Sequence, residues 1–487
     1  VTVAQDLEYV DVLIVGAGLS GVGAACYLSE RCPDRSFMLL EAREDMGGTW
    51  DLFRYPGIRS DSDMFTLGYA FKPWTDTKSL ADGPAILDYI RDTAAQYGVD
   101  RHIRYRQRVV GADWDTKTSR WTVSVECGDS GETRQLQYNF LYSCSGYYSY
   151  DKPHTPDFDG QDRFTGRLFH AQHWPEDLDY KGKHVVVIGS GATAVTLVPE
   201  LARDTARTTM LQRSPTYVAS VPERDPVAIG LRRLLPLSWV YHISRWLHVL
   251  VQMVTFKYAR KNPEKARKFL LGMVRKELGD DYDVDTHFTP RYNVWDERVC
   301  AVPDGDMFRA IREERAEVVT DQIDHFTETG IALASGRHLD ADIVVLATGL
   351  NLLFMGGMQL SVDGEAVTPS EHYVFRGMML SGVPNFVQTM GYTNASWTLK
   401  ADLTAQYVCR LLNHMTRKQK SAAIPVADPA NITEEPMLDF TSGYIQRSID
   451  QFPRQAKEKP WRVYQNYFLD LVNLRFSSLT RTALRFR

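Results

Sequence analysis

The chain has 487 residues, 44% of them hydrophobic and 24% charged, too long for one hydrophobic core and too apolar for disorder. Against 56 Lys and Arg stand 61 Asp and Glu, a net charge of −5, so no global basic field exists to hold a polyanion and nucleic acid is a poor partner. Six cysteines lie far apart without a C-x-x-C or zinc-ligand spacing, which points to a reducing, cytoplasmic compartment.

Val1 to Tyr9 carries acids and no apolar run, so no secretory leader is expected. The first element is a β-branched strand, Asp11 to Val15, followed by Gly16-Ala-Gly18-Leu-Ser20-Gly21 and a helical stretch from Val22 to Glu30. Strand, G-x-G-x-x-G and helix form a dinucleotide turn: Gly16 makes the tight turn, Gly18 admits a pyrophosphate, and Gly21 lets helix and strand pack. A second strand, Ser36 to Leu40, ends at Glu41, 20 residues beyond Gly21, where an acid grips a ribose hydroxyl pair. A β-meander is expected from Ile103 to Leu141.

The turn recurs after the strand His184 to Ile188, as Gly189-Ser190-Gly191-Ala192-Thr193-Ala194 with a helix through Leu201. A strand from Thr208 to Leu211 follows, and the ribose-binding acid is replaced by Arg213, whose planar fork suits a 2′-phosphate. Opposite charge preferences imply two different dinucleotides, FAD at the first turn and NADPH at the second. Residues 216–297 read as a helical insertion. The most membrane-like run there, Leu234 to Phe256, is broken by Pro236, His242, Arg245 and His248, short of the ~20 apolar residues a spanning helix needs. From Lys257 to Lys276 there are eight Lys and Arg against Glu264, so peripheral membrane contact through this insertion is an open reading beside a solvated helix face. Asp342 to Ala347 reads as a closing strand. With no C-x-x-C to relay electrons, the remaining major outlet for a reduced flavin is dioxygen.

Phe164-Thr-Gly166-Arg-Leu-Phe-His170-Ala-Gln-His-Trp174-Pro175 resembles the F-x-G-x-x-x-H-x-x-x-W-P fingerprint of type I Baeyer-Villiger monooxygenases. Gly48-Thr-Trp50 through Tyr55-Pro56-Gly57 to Asp61 is similar to a second pattern of that family, and Gly47 to Asp63 with Gly189 to Val195 resemble its thioamide-activating branch, the ethionamide monooxygenases. The resemblance spans nearly the whole chain. It implies a small-molecule ketone, sulfide or thioamide as substrate with dioxygen, and Baeyer-Villiger oxidation of ketones to esters or lactones by a flavin peroxide that Arg298 stabilises. An N- or S-hydroxylating flavin monooxygenase without ketone oxidation is the alternative.

The resemblance also implies site roles. Arg298 and Asp61 are the catalytic pair, with Asp61 holding the guanidinium. Ser20 contacts the FAD phosphates, Gly47, Gly48, Thr49 and Trp50 wrap the ribityl and pyrophosphate, and Val109 meets the adenine. Arg59, Ser60 and Asp61 face the nicotinamide half. Gly189, Ser190, Gly191, Ala192, Thr193, Ala194, Val195, Arg213 and Ser214 bind the NADPH phosphates. Glu297 stands where many ketone-oxidising relatives carry Lys, which leaves 2′-phosphate recognition to Arg213. His170 and Trp174 read as interdomain hinge residues, and Asn394 and Trp397 as pocket lining. The expected fold is α/β, with two Rossmann-like, three-layer ββα domains. Residues 1–150 and 350–487 form the FAD domain, 151–215 and 298–349 the NADPH domain, and 216–297 a helical insertion in the second.

Overall fold

The computed structural model describes residues 8–437, 443 and 447–487; the stretch expected to carry no leader lies, through residue 7, outside them. The chain opens with β1 (Tyr9–Val15), α1 (Leu19–Arg31), β2 (Phe37–Leu40) and three helices, α2 (Thr49–Leu52), α3 (Met64–Leu67) and α4 (Gly83–Gln96). The short β3 (Ile103–Arg104) leads into the expected meander, β4 (Gln107–Asp115), β5 (Arg120–Cys127) and β6 (Glu132–Ser143). β1 lies between β2 and β6, parallel to both. Such a strand is buried on both faces, which is why it reads as a continuous apolar run.

Alternate side chains of this sheet serve two cores. Val12, Ile14, Phe37, Leu39, Phe140 and Tyr142 face the helices. Leu13, Val15, Met38, Leu40 and Leu141 face the meander, where Trp114 and Trp121 meet edge to face. The period of two thus builds a three-layer unit: helices, parallel sheet, meander.

The second unit begins with β7 (Arg167–His170), β8 (His184–Ile188), α5 (Ala192–Leu201) and β9 (Arg207–Gln212). After β10 (Val218–Val221) come α6 (Pro226–Leu231), α7 (Leu237–Lys261), α8 (Pro263–Leu278) and α9 (Val284–His287). The chain returns through β11 (Cys300–Pro303), α10 (Asp306–Arg312), β12 (Ala316–Thr320), the antiparallel trio β13 (Ile323–Phe326), β14 (Gly330–Leu333) and β15 (His338–Asp340), and β16 (Ile343–Leu346). The parallel sheet has the order β12-β9-β8-β16-β7. Again Val185 and Val187 face one core while Val186 and Ile188 face the other.

The stretch expected to be helical departs from that reading at its start. β10 pairs in parallel with β11 from Val218–Cys300 to Val221–Pro303, closing the base of the insertion. Four-residue strands are too short to show a period, so only their pairing reveals them. This pairing places Arg298 two residues before β11.

The chain then re-enters the first sheet. β17 (Gln359–Val362) and β18 (Glu365–Val367) extend its meander edge. A hairpin, β19 (Val374–Phe375) and β20 (Met379–Leu380), precedes β21 (Phe386–Gln388), which pairs with β6. α11 (Trp397–Arg417) packs on α1. A buried ion pair ties the insertion to α11: Arg245 Nη2 lies 3.0 Å from Asp402 Oδ2, while its Nη1 donates to the carbonyls of Phe65 and Gly68 at 2.7 Å each. With these carbonyls bonded, the buried guanidinium has its hydrogen-bond needs met as well as its charge. No helix among the described residues is long and apolar enough to cross a membrane.

Candidate functional site

A cavity of about 970 Å³ opens between the two parallel sheets, at the carboxyl ends of their strands. Both glycine-rich turns reach it by the same local geometry. Gly16 has φ +98°, and a Cβ there would lie 2.9 Å from the carbonyl oxygen of Cys144, at the end of the neighbouring strand. Gly189 has φ +137°, and its Cβ would lie 2.3 Å from the carbonyl oxygen of Ala347. Any side chain would push the turn off the adjacent strand. Gly21 answers the packing expectation: a Cβ would come within 1.9 Å of the Gly16 carbonyl oxygen.

Of the expected catalytic and cofactor-binding residues, all but Gly21, Ala194 and Val195 line the cavity. Those three lie buried under the turns, where they set the approach of helix to strand. Glu41 is buried, and its two oxygens accept the N–H groups of Ala17 at 2.8 Å and Arg43 at 2.9 Å. Burial holds its carboxyl above the usual range, only partly offset by these bonds. Arg213 follows β9, exposed on the cavity beside Ser214, whose carbonyl accepts from Ser190 Oγ at 3.0 Å.

Between the turns, Arg298 Nε lies 3.6 Å from Asp61 Oδ2, Arg298 being half exposed and Asp61 mostly buried. Asp61 caps no helix; Asp63 does that for α3, accepting from the Thr66 N–H at 3.0 Å. Arg59 Nη1 is paired with Asp306 Oδ2 at 2.8 Å, while its buried Nη2 has no hydrogen-bond partner. A buried donor without an acceptor is a place for a ligand oxygen. Burial holds the Glu297 carboxyl, beside Arg298 on the cavity wall, above its usual range.

Neither His170 nor Trp174 lines the cavity. His170 accepts the Gln172 N–H at Nδ1 (3.0 Å), so Nε2 carries the proton and donates to the Gly349 carbonyl at 3.1 Å. Burial pushes its pKa down to about 4, so the ring is neutral and has no free nitrogen for proton transfer. Gln172 Nε2 in turn donates to the carbonyls of Ser149 (3.0 Å) and Tyr150 (2.6 Å). The fingerprint segment therefore binds both strand-crossing stretches, 149–150 and 349. Trp174 packs edge-on against Phe169 and Tyr180.

Of the two residues expected as pocket lining, one is corrected and one holds. Asn394 does not line the cavity: its side chain donates to the Gln465 carbonyl at 3.0 Å. Trp397 does line it, and its Nε1 donates to Ser20 Oγ at 2.7 Å, which fixes the hydroxyl expected to contact phosphate. The sequence reading also missed lining residues, among them Cys144-Ser145-Gly146, Tyr147, Tyr148 and Tyr392. One signal was present: Cys144-Ser-Gly146 follows β6 as Ala347-Thr-Gly349 follows β16.

Two parallel-sheet units facing one cavity, each with a glycine-rich turn, define a two-dinucleotide oxidoreductase. Residues 10–226 match the family described as flavin-binding monooxygenase-like. The chain is 52% identical over 480 residues to the FAD-containing monooxygenase EthA of Mycobacterium tuberculosis, covering 98% of each chain. It is 50% identical over 480 residues to the FAD-containing monooxygenase EthA of Mycolicibacterium smegmatis, covering 98% and 97%. Among solved structures, an oxidized steroid monooxygenase bound to NADP superposes with TM-score 0.73 at 25% identity, covering 87% and 88% of the two chains. A cyclohexanone monooxygenase from Rhodococcus shares the fold with TM-score 0.71 at 20% identity, covering 87% of each. This chain belongs to the flavin-binding monooxygenase family. The Baeyer-Villiger resemblance read from its long motifs, the α/β two-dinucleotide fold class and the assignment as a flavoprotein monooxygenase are borne out.

Proposed function

We propose that this chain is an NADPH- and dioxygen-dependent Baeyer-Villiger monooxygenase that converts ketones to esters or lactones and also oxidises the sulfur of sulfides and thioamides. The Arg298–Asp61 pair, set in the cavity between the two dinucleotide turns, carries this reading. The residues present fit FAD at the first turn. Glu41 stands ready for the adenine ribose, and the turns at Gly18 and Gly48 approach closely: Gly48 has φ +57°, and a Cβ on it would lie 3.1 Å from the Gly18 Cα. They fit NADPH at the second. Arg213 offers its fork to a 2′-phosphate, and Arg59, whose buried Nη2 lacks a hydrogen-bond partner, lines the same cavity.

Residues 1–150 and 350–487 hold FAD, residues 151–215 and 298–349 hold NADPH, and 216–297 form the insertion on the second. When bound, reduced FAD supplies the activation of dioxygen. Arg298 supplies a permanent cation, because a guanidinium does not release its proton at working pH. Placed where a carbonyl oxygen gains negative charge, that cation stabilises the charge as it develops. Asp61 contacts Nε, so it fixes the orientation of the guanidinium. His170, bonded at both ring nitrogens, holds the crossing segments and takes no part in proton transfer.

The test is product identity. Holoenzyme with NADPH and air is given a linear ketone, a phenyl ketone and a methyl sulfide. Ester from the ketones supports the proposal, whereas sulfoxide without ester assigns the chain to sulfur hydroxylation alone.

A further inference from the structure

We propose that α7 and the segment from Tyr467 to Phe476 form a docking face for an anionic lipid bilayer, an inference that goes beyond the reaction proposed above. An ordinary surface helix is apolar on one stripe and polar on the other. α7 is apolar on both. Its inner face buries Val240, Tyr241 and Val249. Its outer face carries Trp239, Ile243, Trp246, Leu250 and Val254 at helical spacing, with Trp239 65% and Val254 57% exposed.

The exposed stripe continues onto a second element. The Trp246 ring meets those of Tyr467 and Phe468 at 5.9 and 6.1 Å. Beyond them Leu469, Val472 and Phe476 are also exposed, Phe476 at 70%. Two segments distant in sequence thus present one continuous apolar surface, rich in the aromatic side chains that favour a membrane–water boundary.

Charge selects the occupant. The chain as a whole carries −5, yet no acid occurs from Pro226 to Pro263 or from Leu471 to Arg487. Along the two segments that carry the stripe stand the exposed cations Arg233, Lys257, Lys261 and Arg475. A twofold contact with a second copy would set this basic rim against its own symmetry mate. An anionic bilayer complements it, apolar stripe to acyl boundary and cations to phosphate. The face is also one helix away from the cavity: Val249 and Met253, on its inner side, pack against Tyr392 and Ala395, which line the cavity wall.

The test is flotation of the holoenzyme with vesicles of phosphatidylcholine, with and without phosphatidylglycerol. Co-flotation with the phosphatidylglycerol vesicles, at least about tenfold weaker in high salt, is expected. The double variant Trp239→Ser/Val254→Ser, altered only at exposed positions, should lose binding at least about tenfold while keeping its flavin and its oxidation of a water-soluble sulfide. Absence of flotation on anionic vesicles, or undiminished flotation of the double variant, would overturn the proposal. So would a parent dimer in light scattering that the double variant splits into monomers, because the face would then belong to a second copy.

Discussion

Arg298 Nε lies 3.6 Å from Asp61 Oδ2, joining the segment that returns from the helical insertion to the loop that precedes α3. The contact depends on two local devices. The β10–β11 pairing brings the chain back beside Ser220 and Val221, and Asp63 takes over the capping of α3, which leaves the Asp61 carboxylate to the guanidinium.

Replacing Arg298 separates the two halves of the proposed reaction. In Arg298→Ala, NADPH should still bleach the flavin at near the parent rate, while ester formation falls by about 10²–10³ or more. Arg298→Lys, which keeps charge but not the fork, should recover only part of it. Stopped-flow absorbance and product analysis read the two steps independently, and an Ala variant that forms ester at near the parent rate would remove Arg298 from the chemistry.

Coenzyme choice should rest on Arg213. Loss of a charged hydrogen-bonding partner of the 2′-phosphate costs about 1.5–3 kcal/mol, so Arg213→Ala should raise the KM for NADPH roughly tenfold to a hundredfold. The KM for NADH should hardly move. Equal effects on both coenzymes would contradict the role.

Two histidines should shape stability at opposite ends of the pH range. Burial holds His170 at about 4, below the usual 6.5, so its contribution is fully present above pH 6.5 and is lost as pH falls toward 4. His248 goes the other way. Burial alone would lower it, but contacts with Asp225 and Asp63 outweigh this and push it up to about 10, so its contribution is present below pH 6.5 and is lost as pH rises through 10. Melting temperature against pH should therefore lose its extra acid slope, worth about 3 kcal/mol, in His170→Asn. His248→Gln should lose the alkaline slope instead. Curves parallel to the parent would contradict both assignments.

Gly21→Ala should damage binding although Gly21 itself does not line the cavity. Its Cβ would sit 1.9 Å from the Gly16 carbonyl oxygen, so helix and strand must separate. Overpacking of this kind costs typically 1–3 kcal/mol. Flavin content after purification and melting temperature should both fall, and a fully loaded variant melting with the parent would show that the turn has slack.

The glycine turns, Glu41 and Arg213 were legible in the sequence because each lies within one strand-helix-strand unit, where spacing is set by local geometry. The β10–β11 pairing was not, since its partners are separated by the whole insertion and each is four residues long. The same limit hid Arg245–Asp402 and the two carboxylates around His248, which join segments distant in the chain. Asn394 shows a third kind of failure. Proximity to Trp397 placed it near the cavity, but only the fold shows its side chain turned toward Gln465.

The most direct test of the account is the origin of the inserted oxygen. Holoenzyme turning over a phenyl ketone with NADPH under isotopically heavy dioxygen should release an ester carrying one heavy oxygen, and Arg298→Ala should release at least about 10²-fold less of it. Ester without heavy oxygen, or labelled sulfoxide from a methyl sulfide with no ester from any ketone, would contradict the proposal.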